Sequence, residues 1–340
     1  MNIGYIFDEN YIICGAVSIF SLMYNNKEVD EINIYIFDGG ISDKSKNQLF
    51  QMVHEYRRTV KFIDINNIIQ MLKEMDVEPW NGSYTAYVKL MLSNFLPKDI
   101  NRFIVIDADT VIDGSIEELD KMSLKGHPCA MGLEGIYSRY KKYAGIGNNE
   151  HFNTGVIVYD LSVWREKRVE EKLIYHLKNI FGRYMLPEED PISIILRNDV
   201  ERLNPKYNYL AQFEIFGTEK YFKRFGWKDA GDKFYSLQDL RNVCDDVVIY
   251  HFIDTFTNRP WDENNCHPFS KKYDFYFNKI SSVTLKKKKK KMSFSKTIEY
   301  YLRLKLPQKL SVYLYYFAAK SVYGIKAKIY YKNMFHGRKV

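Results

Sequence analysis

The sequence predicts an α/β protein with a mainly parallel sheet flanked by helices, followed by a basic helical tail. Short apolar runs alternate with helical segments through the first two thirds of the chain. Apolar runs of four to seven residues between helices are typical of strands buried on both faces, as in parallel sheets. With 340 residues, of which 46% are hydrophobic, the chain is long enough to bury a large core.

Several strands and helices can be placed individually. The segment from Ile12 to Tyr24 is long and apolar enough for a packed helix. Ser42 is a suitable N-cap for a helix from Asp43 to Tyr56. Asp190 followed by Pro191 resembles an N-cap with proline at the first helical position, which predicts another helix start. The predicted strands are, in chain order, IGYIF, INIYIF, KFIDI, RFIVI, CAMGL, TGVIVY and VVIYHFI.

The C-terminal segment differs from the rest of the chain in charge. Residues 286–340 contain sixteen Lys and Arg and a single acid, Glu299, so the other 285 residues hold 34 bases and 41 acids. The lysine run LKKKKKKM cannot pack in a core and marks a solvated junction. The sequence after it predicts two or three amphipathic helices, broken at Pro307 and Gly324. We therefore expect a domain over residues 1–280 and a tail over residues 281–340.

Cysteine spacing and hydropathy predict the cellular compartment of the protein. The N-terminal residues contain no basic segment followed by an apolar one, and no eighteen apolar residues run without a charge. We therefore expect neither secretion nor a membrane span. The four cysteines show none of the close pairings of a zinc site or redox motif, and we expect reduced cytoplasmic thiols. They are Cys14, Cys129, Cys244 and Cys266.

Two aspartates follow a predicted buried strand in the stretch RFIVIDADTVIDG. Ligands of open α/β sheets bind at the carboxyl ends of the strands, where Asp107 and Asp109 would lie. Both carboxylates could hold Mg²⁺ or Mn²⁺, which favour oxygen ligands and often share them with substrate phosphates. The alternative is structural, with one aspartate capping a turn and the other solvated.

A second enzymatic interpretation fits the same letters. Haloacid-dehalogenase-like phosphatases also place D-x-D after a hydrophobic strand, with the first aspartate as nucleophile. The later stretch CDDVV, with Asp245 and Asp246, could supply their second acidic pair. That family usually opens its domain with the motif, whereas here about a hundred residues precede it.

Polar residues also follow the first strand and precede a later one. In YIFDENYI, Asp8 and Asn10 come directly after the strand, and an asparagine can donate to and accept from a base edge or a ribose. An ordinary strand-to-helix turn is the alternative. In HFNTGVIVYDLSVWR, Asn153 precedes Gly155, a glycine that would let a ligand approach the backbone closely.

Two further stretches supply acids, a histidine and an arginine. LPEEDP concentrates three carboxylates, Glu188 to Asp190, before a predicted helix. VIYHFIDTFTNRPW holds His251 after an apolar run and Arg259 before a proline. A lone histidine is more often structural than a ligand, but one that follows a strand is a candidate metal ligand when an acidic pair is present.

Taken together and in this order, the segments from Asn2 to Trp261 resemble the family 8 glycosyltransferases. These are retaining enzymes with a GT-A fold, built on a single Rossmann-like sheet. Bacterial lipopolysaccharide galactosyl- and glucosyltransferases and glycogenin belong to the family. The resemblance implies a hexosyltransferase that uses UDP-glucose or UDP-galactose, with Mn²⁺ or Mg²⁺. It also implies a glycan or lipid-linked saccharide as acceptor, in cell-surface polysaccharide synthesis.

The resemblance implies roles for the motif residues in donor and metal binding. The uridine would be held by Asp8, Asn10 and Tyr11, with Ala108 against the ribose. The metal ligands would be Asp107, Asp109 and His251. The donor sugar or its phosphates would contact Lys89 in YVKLMLSNFLP, Arg259 and Asn153. The acids facing the sugars would be Glu134, Glu188, Glu189 and Asp190.

The sequence departs from the family pattern at three places. The usual D-Q-D is Glu188-Glu189-Asp190, which makes a glycosyl-enzyme intermediate on Glu189 conceivable, although we favour attack from the face that the diphosphate leaves. Lys89 replaces an arginine. The usual H-F-x-G-x-x-K-P-W is HFIDTFTNRPW, two residues longer, without the glycine and with Arg259 for lysine.

The tail adds an expected partner. Lysines interleaved with Tyr, Phe and Leu suit the anionic inner face of a cell membrane, so we expect a cytoplasmic protein attached peripherally to it. A solvated segment and an RNA-binding stretch are the alternatives, and nucleic acid is the less favoured partner. A non-catalytic binding protein on a degenerate transferase fold is a further alternative, because the H-x-x-G-x-x-K segment is altered.

Overall fold

The structure is a computed structural model that contains two β-sheets, one of seven strands and one of three. It describes residues 1–180, 183–223, 233–253, 258–263 and 265–284, scattered positions between 286 and 301, and residues 305–336. The strands are β1 (Asn2–Phe7), β2 (Asn33–Asp38), β3 (Thr59–Asp64), β4 (Arg102–Ile106), β5 (Thr110–Ile112), β6 (Cys129–Leu133), β7 (Phe152–Asp160), β8 (Glu201–Arg202), β9 (Tyr209–Leu210) and β10 (Ile249–His251).

Helices surround the sheets and include one long C-terminal helix. They are α1 (Ile12–Asn25), α2 (Asp43–Glu55), α3 (Asn66–Glu74), α4 (Glu117–Lys121), α5 (Ser138–Ala144), α6 (Leu161–Glu166), α7 (Val169–Lys178), α8 (Glu189–Leu196), α9 (Ala211–Phe216), α10 (Thr218–Tyr221), α11 (Leu237–Asn242), α12 (Ser270–Phe277) and α13 (Gln308–His336). Short 3₁₀ helices cover Glu9–Tyr11, Thr85–Leu90, Leu92–Phe95 and Pro205–Tyr207.

The large sheet has seven strands in the order β3-β2-β1-β4-β7-β6-β8. Strand β1 pairs in parallel with both β2 and β4, and buried apolar clusters cover the two faces, which confirms the predicted mainly parallel sheet. Strand β7 runs antiparallel to its neighbours β4 and β6. Because of this reversal, the first residues of β7 lie at the edge where β1 and β4 end.

A small second sheet has the order β5-β10-β9. Strand β10, which the sequence analysis grouped with the strands of one sheet, belongs to this second sheet instead. Its antiparallel pairing with β5 places His251 opposite Thr110. The backbone N–H of Phe252 donates to the carbonyl of Asp109 at 2.9 Å, which holds the end of β10 beside the aspartate pair.

Two of the predicted helix starts have different outcomes. The Ser42 side chain accepts from the backbone N–H of Ser45 at 3.2 Å, and α2 begins as predicted. Helix α8 begins at Glu189, so the prediction that Asp190 caps it is wrong. The Asp190 carboxylate is fully buried and accepts from tyrosine hydroxyls, so its environment differs from that of an exposed cap.

Helix α13, within the C-terminal tail, packs against α5 of the domain. Helix α13 begins just after Pro307, as predicted, but passes through Gly324 without a break, so the predicted break there is wrong. A Cβ atom at Gly324 would lie 3.1 Å from the Arg139 side chain, which indicates that the glycine lets α13 approach α5 closely. Within the described ranges, none of the helices combines the length and apolar character needed to cross a bilayer. The cysteines are free thiols.

Candidate active site

A cavity of about 400 Å³ lies at the edge of the large sheet where β1 and β4 end. Asp8 follows β1 and Asp107 follows β4, and the backbone N–H of Asp107 donates to the Gly155 carbonyl of β7 at 2.8 Å. The predicted site residues that line the cavity are Asp8, Asn10, Tyr11, Lys89, Asp107, Ala108, Asp109, Glu134, Asn153, Glu188, Glu189, His251 and Arg259. Asp190 lies behind this surface and is fully buried.

The Asp8 carboxylate is part of a turn as well as of the cavity. It accepts from the backbone N–H of Asn10 at 2.9 Å and so caps the 3₁₀ helix that follows β1. The strand-to-helix turn considered as an alternative is therefore present, and the same turn exposes Asn10 and Tyr11 to the cavity.

Asp107, Asp109 and His251 form a group that fits a divalent cation; we call it the aspartate cluster. One ligand atom from each residue lies within 4.8 Å of the others. His251 Nε2 is 3.3 Å from an Asp109 oxygen and 3.9 Å from an Asp107 oxygen. Two carboxylates and an imidazole suit Mn²⁺ or Mg²⁺, and the carboxylates favour these ions over softer ones.

A hydrogen-bond chain fixes which nitrogen of His251 faces the carboxylates. The backbone N–H of Gly155 donates to Asn153 Oδ1 at 3.0 Å, so this oxygen is an acceptor. Asn208 Nδ2 donates to the same oxygen at 2.7 Å, which turns Asn208 Oδ1 toward His251 Nδ1 at 3.0 Å. His251 Nδ1 therefore carries a proton, and Nε2 is directed at the cluster with its lone pair when the ring is neutral.

Two cations balance the aspartate charges. Lys89 Nζ lies 2.7 Å from Asp107, and Arg259 Nη1 lies 2.7 Å from Asp109. Burial alone would raise the pKa of Asp109, but His251 and Arg259 outweigh it and hold this pKa well below its usual range. Burial raises the pKa of Asp107, and Lys89 opposes that increase. Asp109 is therefore a permanent anion at the site.

A second acidic group lies across the cavity. Glu134, His151 and Glu189 each offer a ligand atom within 4.8 Å of the others, and we call them the glutamate cluster. Burial, together with the charges of Glu134 and Glu188, raises the pKa of Glu189 well above its usual value. Glu189 accepts from Asn153 Nδ2 at 2.9 Å. Burial and the neighbouring carboxylates thus shift Glu189 toward its neutral form, whereas the hydrogen bond from Asn153 opposes that shift.

His151 balances the acids behind the cavity. Its Nε2 is 3.3 Å from Asp190 and its Nδ1 is 3.5 Å from Glu134. Burial would lower the pKa of His151, but these two carboxylates raise it to about 9. The histidine is thus a buried cation that joins the glutamate cluster to Asp190.

A second cavity, of about 690 Å³, adjoins the first and shares Tyr11, Glu134 and Arg259 with it. Its walls are largely aromatic and include Trp80, which also lines the first cavity, and Tyr137, Tyr140, Phe216, Tyr221, Trp261 and Tyr315. Aromatic faces with a few polar groups are typical of sites that bind a ring with one apolar face.

Comparison with known proteins identifies the fold and the family. The sequence profile described as "Glycosyl transferase family 8" matches residues 2–265. The chain belongs to glycosyltransferase family 8. General stress protein A of Bacillus subtilis is 24% identical over 79% of this chain and 90% of its own length. A lipopolysaccharide 1,2-glucosyltransferase of Escherichia coli is 23% identical over 77% and 73%, respectively.

Solved structures show the same fold. The galactosyltransferase LgtC, in complex with donor and acceptor sugar analogues, superposes with a TM-score of 0.66 at 18% identity, covering 84% of this chain and 98% of LgtC. This similarity confirms the GT-A fold that the sequence resemblance implied. As a family 8 glycosyltransferase, the chain is a transferase of a family that uses nucleotide-sugar donors.

Family membership overturns the phosphohydrolase interpretation. Asp245 and Asp246, which that interpretation required at the site, are exposed and do not line the cavity. The altered segment after His251 is described in part, with Arg259 at the cavity, while residues 254–257 lie outside the described residues.

The sequence analysis gave Gly155 a different role and missed other residues of this glycosyltransferase site. A Cβ atom at Gly155 would lie 2.3 Å from the His251 ring, so the glycine makes room for the histidine rather than for a ligand. Asn208 was missed because it belongs to no recognised motif, and His151, the first residue of HFNTGVIVYDLSVWR, was given no role. Each acts through partners that are distant in sequence, which a local pattern does not reveal.

Proposed function

We propose that this family 8 glycosyltransferase is a retaining hexosyltransferase that takes glucose or galactose from UDP-glucose or UDP-galactose and requires Mn²⁺. The observation that carries the proposal is the aspartate cluster, flanked by Lys89 and Arg259 in a single cavity. This arrangement combines a cation site with fixed positive charge, which is what a nucleoside diphosphate requires.

The donor would extend along the cavity from β1 to the glutamate cluster. Asn10 and Tyr11 would contact the uridine, and Ala108, a small residue, would leave room for the ribose against the end of β4. Arg259 offers a planar fork for two phosphate oxygens, and Lys89 a single ammonium. The hexose would then face Asn153, Glu134 and the acids at the start of α8.

Cleavage of the bond from the anomeric carbon to the diphosphate leaves negative charge on the departing oxygens. Mn²⁺, when bound, supplies a Lewis acid for those oxygens. Lys89 and Arg259 add preorganised positive charge. Burial would lower the pKa of Lys89, but the carboxylates of Asp107 and Glu188 hold it above the usual value, so Lys89 stays charged. The protein thus stabilises the leaving group before the acceptor attacks.

Retention is proposed to occur by attack from the face that the diphosphate leaves. A nucleophilic Glu189 would have to be ionised, yet burial and its acidic neighbours favour the neutral carboxylic acid. A protonated carboxyl resembles the amide that the family pattern has at this place. The acceptor hydroxyl would then lose its proton to a diphosphate oxygen.

The acceptor is proposed to be a glycan or a lipid-linked saccharide used in cell-surface polysaccharide synthesis. The names of several relatives, which are lipopolysaccharide glucosyl- and galactosyltransferases, support this class. A cytoplasmic protein bound peripherally to the inner face of the cell membrane would meet such an acceptor. Its domain over residues 1–280 would carry the chemistry.

The outer surface of α13 supports membrane attachment. Five exposed apolar residues lie along it: Leu310, Leu314, Phe317, Ile325 and Ile329. Exposed lysines lie between and beside them: Lys309, Lys326, Lys328 and Lys332. Apolar side chains can enter a lipid interface while each lysine contributes about 1 kcal/mol at an anionic surface. An anionic bilayer therefore fits this surface better than a nucleic acid does.

The donor assignment is tested by following hydrolysis of UDP-glucose and UDP-galactose with and without Mn²⁺. We expect slow, Mn²⁺-dependent release of UDP from one of the two, and none from the Asp109→Asn variant. Turnover of neither donor, nor of other nucleotide sugars, would favour the non-catalytic alternative.

Membrane attachment is tested on the full chain with vesicles containing phosphatidylglycerol. Replacing Leu314, Phe317 and Ile325 with serine should abolish cosedimentation without unfolding the protein, because these side chains are exposed. Phe50→Ser, which removes an exposed aromatic side chain from α2, is the matched control and should bind as the wild type does. Equal binding by all three proteins would contradict the proposal.

A further inference from the structure

We propose that α13 is a structural part of the active site, and that Tyr331 is a positioning residue for the segment that carries Glu188 and Glu189. For its catalytic readout, the inference rests on the proposed transferase function. It gives the tail a second role, separate from contact with a membrane. The inner face of α13, not the exposed one, carries this role.

Asp190 is the point at which the helix meets the site. Its carboxylate is fully buried, and Tyr140 and Tyr331 each donate a hydroxyl to Oδ2 at 2.7 Å. The other oxygen faces the His151 ring at 3.3 Å. A buried carboxylate is stable only when it is hydrogen-bonded, so α13 supplies one of the donors on which this residue depends.

The Tyr331 hydroxyl also holds the backbone just before α8. It accepts from the N–H of Met185 at 2.9 Å while it donates to Asp190. The N–H of Leu186 in turn donates to Asp190 Oδ2 at 3.3 Å. One hydroxyl therefore bridges both ends of the segment from Met185 to Asp190. Glu188 and Glu189, which face the cavity, lie inside that closed segment.

A second contact of α13 lies at the aromatic cavity. Tyr315 is one of its walls, and the ring stacks on Phe216 with centroids 5.1 Å apart. The next residue, Tyr316, is buried, and its ring centroid lies 5.8 Å from that of Tyr137. The helix thus contributes to the site at two places, the cavity wall near Tyr315 and the Asp190 network near Tyr331.

Tyr330 provides a matched control on the same helix. Its hydroxyl accepts from the backbone N–H of Arg183 at 3.3 Å and does not contact Asp190. Tyr330→Phe and Tyr331→Phe each remove one hydroxyl and keep the ring. A role in packing alone predicts similar effects from the two variants, whereas the positioning role predicts an effect from Tyr331→Phe alone.

Hydrogen–deuterium exchange on the full-length variants provides a test that needs no activity. In Tyr331→Phe, we expect amides between residues 185 and 190 to exchange about tenfold faster, equivalent to ~1.4 kcal/mol, whereas Tyr330→Phe should affect only the Arg183 amide. Residues 8–12, at the other end of the cavity, should be unchanged. Exchange at wild-type rates in the 185–190 segment of Tyr331→Phe would overturn the inference.

Donor hydrolysis provides the second test. Tyr331→Phe should lower kcat for the hydrolysed UDP-sugar about tenfold and leave the KM within about twofold, because the displaced acids face the sugar, whereas the uridine and metal contacts remain. Tyr330→Phe should match the wild type in both. If the wild-type protein hydrolyses no UDP-sugar, the proposed function fails and the exchange result alone decides this inference. A lowered melting temperature with unchanged kcat would contradict it.

Discussion

The aspartate and glutamate clusters have the same kinds of ligand group but differ in the direction in which one carboxyl pKa is shifted. Each contains two carboxylates and a histidine whose ligand atoms lie within 4.8 Å of one another. In the aspartate cluster, Arg259 and His251 keep Asp109 ionised. In the glutamate cluster, burial and the acidic neighbours raise the pKa of Glu189, and two carboxylates raise the pKa of His151 to about 9.

The difference predicts that the protonation of the ligand groups, rather than the residue types, decides which cluster binds a metal. A metal ligand must offer a lone pair, and the His251 chain through Asn208 leaves Nε2 available for one. His151 has a carboxylate near each of its nitrogens, so both nitrogens carry protons. We therefore expect the metal at the aspartate cluster alone, and four predictions test that contrast.

The largest effect is expected from Asp109→Asn. This variant removes an anionic ligand and should lower Mn²⁺-dependent donor hydrolysis by about 10³-fold or more, because a metal contributes several kcal/mol of charge stabilisation. Titration calorimetry should show loss of Mn²⁺ binding. Glu134→Gln, the control in the other cluster, should keep its Mn²⁺ affinity within about threefold. Equal weakening in both variants would show that the clusters share the metal.

Replacing His151 with glutamine should lower the free energy of unfolding and leave the affinity for Mn²⁺ unchanged. Removing one partner from a buried charge network costs about 3 to 5 kcal/mol, which urea denaturation would measure. The raised pKa of His151 means that its contribution is fully present below its unfolded value of 6.5 and is lost as pH rises to about 9. The wild type should therefore lose more stability than His151→Gln across that pH range. Parallel pH profiles would contradict the assignment of the buried cation.

Asn208→Ala should have an intermediate effect. The variant leaves the three proposed metal ligands in place but removes the acceptor that orients His251. We expect Mn²⁺ affinity to fall about 10- to 100-fold, the range typical of residues that orient a ligand. Calorimetry without a donor would measure it. An unchanged affinity would mean that packing against Gly155 alone orients the histidine.

The smallest effect is expected from Glu189→Gln. A neutral carboxylic acid and an amide both make hydrogen bonds without charge, so donor hydrolysis should change less than about threefold. The measurement is kcat, together with mass spectrometry of the wild type during turnover. A loss of about 10²-fold or more, or a glycosyl adduct on Glu189, would establish the double-displacement route instead.

Local patterns predicted β1 to β4, β6, β7 and β10 but not the short strands β5, β8 and β9, and together with the family resemblance they named thirteen residues that line the cavity. Continuous apolar runs gave β1 and β4, and the polar residues after each strand, Asp8 and Asp107, meet at one edge because parallel neighbours end together. The reversal of β7 did not follow from its composition, since a strand buried on both faces reads alike in either direction. Its direction is what brings Asn153 to the site.

Long-range contacts account for the remaining failures. Asp190 was predicted to cap a helix because proline follows it, yet its carboxylate is bound by Tyr140 and Tyr331, which are 50 and 141 positions away. Gly324 was predicted to break a helix because glycine has low helix propensity, whereas close packing on Arg139 favours it there. The residues next to Asp190 and Gly324 in the sequence do not reveal these distant partners.

The separation of Asp190 from Tyr331 also affects the order of events during synthesis. Their 141 positions correspond to roughly 7 to 28 s of translation at ~5–20 residues per second. During that interval the sheet and the aspartate cluster can form, while Asp190 has only Tyr140 and His151 to bind it. The hydrogen bonds behind the glutamate cluster would therefore be completed after the aspartate cluster has formed, once α13 has left the ribosome.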